Sequence, residues 1–151
     1  MLRQALADRL KVAMKARDAR TVSTVRLILA ALKERDVAAR GEGNAEGLAD
    51  PDIARLLQGM IKQRRESIAL YEQGKRADLA QQEIEEIAVI ESFLPRQMNE
   101  DEITAAARAV IAETGAAGIR DMGKIMAALR ARHAGVIDFS RAGPIVKGLL
   151  G

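Results

Sequence analysis

Apolar residues recur every three or four positions through most of the chain, and this spacing constrains the fold more than any other feature of the sequence. Because an α-helix turns once in about 3.6 residues, such spacing places apolar side chains on one face of successive helices. No segment alternates apolar and polar residues between turn signals, so no strand is predicted. Aromatic residues make up only 2% of the chain, and the core is therefore expected to be aliphatic. The pattern predicts an all-α protein.

Four helices are predicted in the amino-terminal part of the chain. The first carries an apolar stripe with a strict four-residue period, formed by Leu2, Leu6, Leu10 and Met14. A Gly-rich stretch at residues 41–44 ends the second helix and is expected to be a mobile loop. Asp50 is the predicted N-cap of the third helix, Pro51 its first residue and Gly74 its left-handed C-cap. The fourth helix is expected to begin near Asp78 and to end before a proline.

Three shorter helices are predicted in the rest of the chain. Asn99 and Glu102 have the spacing of a capping box at the start of the fifth helix. The sixth is expected to start from Asp121. Because proline fits only the first turn of a helix without loss of hydrogen bonds, Pro144 predicts that the seventh starts near Ala142.

These signals predict two domains. The first is an amino-terminal helical bundle of about four helices over residues 1–95, and the second is a small three-helix carboxy-terminal domain over residues 96–151. Pro95 marks the boundary, because a proline cannot continue the helix that precedes it.

Positive charge is concentrated near the amino terminus. Residues 1–40 contain ten Lys or Arg against four Asp or Glu, a net +6, whereas residues 41–98 contain seven against eleven, a net −4. One interpretation is a polyanionic partner for the basic helices. The other is that the basic hairpin complements the acidic segment that follows it, and the sequence leaves both open.

Several features predict a cytoplasmic protein with no membrane partner. The chain has no cysteine, which excludes disulfides and thiolate sites and fits a reducing compartment. The longest apolar runs are too short to cross a bilayer. The amino terminus opens directly into an amphipathic pattern and does not resemble a signal peptide.

No catalytic, cofactor or metal site is predicted. His133 is the only histidine, and its position beside Arg130 and Arg132 at a helix end favours an interaction with the helix dipole over catalysis. No phosphate loop, nucleophile elbow or dinucleotide-binding motif is present. Acidic runs such as residues 83–86 are interpreted as solvated helix faces.

Arg64 lies on the apolar stripe of the third helix, where an unpaired charge would be costly. Glu83 or Glu91 on the fourth helix could meet it. Arg64 with Glu91 is the predicted structural ion pair.

The segment Asp121–Met126 is predicted to bind phosphate. Gly123 near a helix start would expose backbone N–H groups, and Lys124 adds a positive charge. The predicted nucleic-acid-binding residues lie in one domain and are Gly123, Lys124, Arg130, Arg132, His133 and Lys147. The alternative is that Gly123 only lets two helices approach closely, and spacing does not separate the two interpretations.

Four segments occur in an order that resembles the YqeY family. They are Ser23–Lys33, Met60–Ile68, Glu91–Pro95 and Asp121–Met126. The resemblance implies an amino-terminal bundle joined to a domain similar to the tail of the B subunit of aspartyl/glutamyl-tRNA amidotransferase. It also implies a tRNA connection, because that tail is thought to engage tRNA while the catalytic parts of the larger enzyme are absent here.

The leading functional prediction is therefore a non-catalytic tRNA-associated binding module. Its expected partners are tRNA and, with it, a tRNA-charging or amidotransferase protein. An alternative is a protein-interaction module without RNA contact. The least favoured interpretation is a component of a carbon–nitrogen ligase with glutamine as amide donor, a label that would be inherited from the amidotransferase resemblance.

Overall fold

The computed structural model describes residues 1–151 and contains seven α-helices, one short 3₁₀ helix and no strand, which confirms the all-α fold. The chain divides into two compact units, an amino-terminal unit Met1–Leu94 and a carboxy-terminal unit Pro95–Gly151. The amino-terminal unit consists of α1 (Leu2–Ala16), α2 (Ala19–Gly41), α3 (Asp50–Gln73) and α4 (Ala77–Glu91). The carboxy-terminal unit consists of α5 (Glu100–Thr114), the 3₁₀ helix (Ile119–Asp121), α6 (Met122–Arg132) and α7 (Phe139–Leu150). None of these helices has the length and apolar content needed to cross a membrane.

An aliphatic core holds the amino-terminal unit together. Its buried side chains come from all four helices and from the turn after α4, and they are Leu6, Val25, Ile28, Leu32, Ile53, Leu57, Met60, Ile61, Ile90 and Leu94. The α1 stripe differs from the prediction, because Met14 is half exposed and Ala13 is buried instead. A strict four-residue step drifts by roughly 40° around the helix each time, so the fourth member has left the buried face.

The ends of α3 also differ from the prediction. Asp50 is the first residue of α3 and not its cap; its carboxylate accepts hydrogen bonds from the Met1 amine at 3.1 Å and the Leu2 N–H at 3.2 Å. At the other end Gly74 has a negative φ, and Lys75 takes the left-handed conformation with φ 59°. The reason is that Arg76 N–H donates to the Tyr71 carbonyl at 2.8 Å, which closes the helix one residue later.

Asp36 on α2 fastens the connection between α2 and α3. Its buried carboxylate accepts hydrogen bonds from Arg3 Nη1 at 2.6 Å and from the Leu48 N–H at 2.9 Å. Arg3 Nη2 also donates to the Leu48 carbonyl at 2.9 Å. Gly47, with φ 81°, is required beside this group, since an added Cβ would lie 2.4 Å from Asp36 Oδ1. We refer to Arg3, Asp36, Gly47 and Leu48 as the Asp36 clasp.

A second aliphatic core holds the carboxy-terminal unit. Its buried side chains are Ile103, Ala107, Val110, Ile125, Leu129, Ile137, Ala142 and Val146. The capping box of Asn99 and Glu102 is present as predicted. In contrast, α7 begins at Phe139 and carries Pro144 inside it, so the predicted start near Ala142 is wrong. Asp138 starts the helix earlier, because its carboxylate accepts a hydrogen bond from the Ser140 N–H at 2.9 Å.

Candidate nucleic-acid interface

The predicted phosphate-binding residues of α6 lie at its two ends. Gly123 and Lys124 are in the first turn, Arg130 and Arg132 are in the last turn, and His133 is the C-cap. Lys124 and Arg130 are six residues apart, which corresponds to roughly 9 Å along the axis. These residues therefore lie in two groups at opposite ends of one short helix and do not form a single phosphate-binding site.

The start of α6 has no side-chain cap. Asp121 is the N-cap residue, but its carboxylate accepts a hydrogen bond from the Ala117 N–H at 3.0 Å and none from the helix. Gly123 is exposed, and a Cβ added there would meet nothing within 4 Å. The interpretation that Gly123 permits close helix packing is therefore wrong. The 3₁₀ helix continues directly into α6, and the Met122 N–H donates to the Ile119 carbonyl. The first-turn N–H groups are therefore not all free for an external anion, and the Asp121 carboxylate opposes its approach.

Arg132 is already paired. Its guanidinium donates to the Glu113 carboxylate on α5, and both side chains are exposed. The hydrogen bond from Arg132 lowers the pKa of Glu113 below its usual value. Of the predicted cations, Arg132 is thus the one whose charge is compensated by a neighbouring carboxylate, which weakens its predicted phosphate contact.

Arg130 is held by an aromatic ring and not by a carboxylate. Its Cζ lies 4.8 Å from the centroid of the Phe139 ring, at the start of α7. This cation–π contact orients the guanidinium and leaves its N–H edge available to an acceptor. Phe139 is not among the predicted site residues. The available signal was its rarity, because Phe139 is the only aromatic residue after Phe93.

The remaining predicted cations are open to solvent. Lys124 on α6 and Lys147 on α7 are exposed, and neither forms an ion pair. His133 is the C-cap residue of α6 and is half-buried, and its interaction with the helix dipole stays a prediction. Three of the predicted cations, Lys124, Arg130 and Lys147, therefore have no carboxylate partner, and the same is true of Arg108, Arg120 and Arg141 in the carboxy-terminal unit.

Arg64 forms ion pairs with α4, with Glu86 and with Glu83, one of its two candidate partners, but the predicted pair with Glu91 is wrong. Its Nε donates to Glu86 at 2.9 Å and lies 3.9 Å from Glu83, and the side chain is only 12% exposed. Glu91 instead lies 3.5 Å from Arg65. Adjacent residues of a helix point about 100° apart, so Arg64 and Arg65 reach different carboxylates.

This pairing is part of a polar network that joins three helices. Arg20 on α2 contacts Glu85 at 3.2 Å and Glu86 at 3.7 Å. Burial, and then repulsion from Glu86, raises the pKa of Glu83. The acidic run at 83–86 is thus partly buried and paired, and its interpretation as a solvated face is wrong for Glu83 and Glu86. The network is structural, because each member contacts another side chain of the same bundle.

Comparisons with known proteins agree with the predicted resemblance. The model of the family described as Yqey-like protein matches residues 3–150. A curated relative, "Altered inheritance of mitochondria protein 41, mitochondrial" of Kluyveromyces lactis, is 33% identical over 89 residues. That match covers 59% of this chain and 46% of the relative, so the matched region spans less than half of the length of the yeast protein.

Proposed function

Because this chain belongs to the Yqey-like family, we propose that it is a non-catalytic binding module that associates with tRNA. The observation that carries the proposal is that Lys124, Arg130 and Lys147, three of the predicted cations on α6 and α7, have no carboxylate partner. The start of α6 has no side-chain cap, and we propose that a phosphate group approaches it beside Lys124.

The proposed contacts are to the phosphate backbone. Lysine and arginine bind phosphate oxygens without reading sequence. Recognition of single-stranded bases usually needs aromatic side chains for stacking, and Phe139 is half-buried against Arg130. We therefore expect the module to bind tRNA with little sequence preference of its own.

The modest charge of the unit implies a second binding partner. Residues 95–151 contain eight Lys or Arg and six Asp or Glu, a net charge of +2. Since phosphate affinity depends on the number of neutralised phosphates, binding by this unit alone should be weak and salt-sensitive. We propose that a tRNA-charging or amidotransferase protein completes the surface, as the resemblance to the amidotransferase tail implies.

We propose a cytoplasmic location, in keeping with the absence of cysteine. The printed name of the yeast relative assigns that protein to mitochondria. A fluorescent fusion of this chain, imaged in its own cells, tests the location directly.

The test of function is the affinity of the full chain for bulk tRNA, measured by filter binding at several salt concentrations. The variant Lys124→Ala/Arg130→Ala/Lys147→Ala should bind more weakly, and its slope of log affinity against log salt should be shallower by about 2–3. The matched control is Lys11→Ala/Lys15→Ala/Lys62→Ala, which removes three exposed cations of the amino-terminal unit. Equal affinity of the wild type and the first variant would contradict the proposal.

A further inference from the structure

The outer side of α2 carries a row of residues that no other part of the amino-terminal unit covers. Residues 23, 27, 30, 34, 37 and 41 alternate steps of four and three, which places them on one side of the helix. All six are exposed. Leu27 is 50% exposed and Val37 is 59% exposed, although both are large and apolar. We call Ser23, Leu27, Ala30, Glu34, Val37 and Gly41 the α2 stripe.

A groove adjoins the α2 stripe on the side of α3. It has a volume of about 710 Å³. Its apolar lining comes from Leu27 and Ala31 on α2 and from Leu56 and Met60 on α3. A second, shallower hollow lies along the stripe itself and is lined by Ala30, Lys33, Glu34 and Val37. The groove is also lined by polar and charged side chains, namely Glu34, Arg35, Asp52, Arg55, Gln63 and Arg64. The two hollows thus offer apolar side chains beside charged ones, which suits an amphipathic partner helix.

Gly59 lines the groove from the middle of α3. Glycine inside a helix is unfavourable relative to alanine, because it loses more backbone freedom on folding. An added Cβ at Gly59 would meet nothing within 4 Å, so packing within the unit does not require the glycine. Close approach of an external backbone along the groove would explain it.

A row of cations borders the other edge of the α2 stripe. Arg26, Lys33 and Arg40 are seven residues apart, so they lie one above the other along α2. All three are exposed and none forms an ion pair, although arginines at other positions of this unit do. We call these three residues the basic row. They present positive charge along the edge of the α2 stripe, although Arg40 also interacts electrostatically with Asp36.

The basic row argues against a second copy of this chain as the occupant. In an antiparallel pair of α2 helices, the basic row of one copy would face that of the other. In a parallel pair, Glu34 of one stripe would face Glu34 of the other. Both arrangements place like charges together, and such contacts disfavour association.

We propose that the α2 stripe and the adjoining groove bind an amphipathic helix of a partner protein whose edge toward the basic row is acidic. The apolar face of that helix would pack on Leu27, Leu56 and Met60 and pass close to Gly59. Its acidic residues would meet Arg26, Lys33 and Arg40. Glu34 selects against an acidic residue at the centre of the partner's apolar face. The surface belongs to the amino-terminal unit and does not depend on the proposed tRNA contacts.

The test uses two synthetic fluorescein-labelled peptides of about 18 residues, long enough for five turns of helix. Both have leucine and alanine on one face, and one edge carries glutamate in the first peptide and lysine in the second. Fluorescence anisotropy with the full chain should give at least about tenfold tighter binding of the glutamate peptide. The charge-reversed variant Arg26→Glu/Lys33→Glu/Arg40→Glu should invert that preference.

Matched variants distinguish an effect of the proposed binding surface from an effect of overall charge and from a loss of folding. Lys62→Glu/Arg108→Glu/Arg120→Glu reverses three exposed cations elsewhere and should leave the preference for the glutamate peptide unchanged. Gly59→Gln should obstruct the groove and weaken binding by about tenfold, whereas Gly59→Ala should raise Tm and weaken it less. Circular dichroism establishes that each variant is folded.

Other outcomes overturn the proposal. Equal affinity for the two peptides would show that the basic row does not select an acidic partner. A preference for the glutamate peptide that survives reversal of the basic row would show the same. A concentration-dependent dimer that Leu27→Glu dissociates, measured by sedimentation, would assign the stripe to a second copy. Loss of tRNA affinity in the basic-row variant without any change in peptide binding would assign the row to RNA.

Discussion

In the amino-terminal unit Arg3, Arg20, Arg64 and Arg65 each contact a carboxylate on another helix, whereas in the carboxy-terminal unit Lys124, Arg130 and Lys147 contact none. The first set lies where helices pack, and its charges are compensated within the fold. The second set lies on helix ends and outer faces. The comparison teaches that cations between packed helices stabilise the fold, whereas cations of the same residue types on helix ends and outer faces remain available to an external anion.

The largest expected effect is that of Arg64→Met. This substitution leaves Glu83 and Glu86 beside each other without the buried guanidinium. We expect the free energy of unfolding to fall by about 2–3 kcal/mol at neutral pH, since loss of one member of a buried ion pair leaves the other uncompensated. Urea denaturation followed by circular dichroism measures it. Adding Glu86→Gln to Arg64→Met should recover part of the loss, and an unchanged midpoint for the single variant would show that the pairing is not structural.

Asp36→Asn should have the next largest effect, a loss of about 1–2 kcal/mol, because charge-assisted hydrogen bonds from Arg3 and Leu48 are weakened. The hydrogen bond from Arg3, and then that from the Leu48 N–H, lowers the pKa of Asp36 below 3.8. The carboxylate therefore stabilises the fold fully at any pH above the pKa of Asp36 in the unfolded chain. This contribution is lost as the pH falls through the lower pKa of the folded state. Denaturation at neutral pH and at decreasing acid pH should show the gap between wild type and variant narrowing; a constant gap would argue against this assignment.

Glu83→Gln tests a carboxyl group of the same unit whose pKa is shifted in the opposite direction. Burial and repulsion from Glu86 raise the pKa of Glu83 above 4.5, so its ionised form destabilises the folded state. This cost is fully present above the folded pKa and disappears below the unfolded value. At neutral pH the variant should be slightly more stable than the wild type, by less than about 1 kcal/mol. A series of thermal melts from neutral to acid pH should show this gain vanish in acid. Destabilisation at neutral pH would instead mean that the attraction to Arg64 dominates.

The smallest effects on stability are expected in the carboxy-terminal unit. Lys124→Ala and Lys147→Ala remove exposed charges that have no ion-pair partner. We expect each free energy of unfolding to change by no more than about 0.5 kcal/mol. Arg96→Ala, which removes a paired cation of the same unit, is the comparison variant. If either lysine variant were as destabilised as Arg64→Met, the contrast between the two units would be lost.

Features set by local chemistry could be predicted from the sequence. The capping box of Asn99 and Glu102 needs only its own helix end, and it is present. The aliphatic helices were equally predictable, because residue spacing determines which face is buried. Predictions of a helix end were less accurate where its position depends on neighbouring groups. An example is Lys75, which takes the left-handed conformation that was predicted for Gly74.

Features set by packing between helices could not be predicted in the same way. The sequence placed Arg64 near an acidic helix, but the choice of Glu86 over Glu91 depends on how α3 and α4 are rotated against each other. Likewise, the contact of Arg130 with Phe139 depends on how α7 crosses α6. Residue types indicated which groups needed partners, whereas the partners themselves follow from the helix arrangement.

The Asp36 clasp has a mechanical consequence for the amino-terminal unit. Sliding α3 along α2 would pull Leu48 away from Asp36 and Arg3 and break the hydrogen bonds that join them. Leu48 also lines the groove between α2 and α3. The width of the groove at that end is therefore set before any ligand binds. A partner helix would bind to a surface that is already ordered, so little conformational entropy would be lost there on binding.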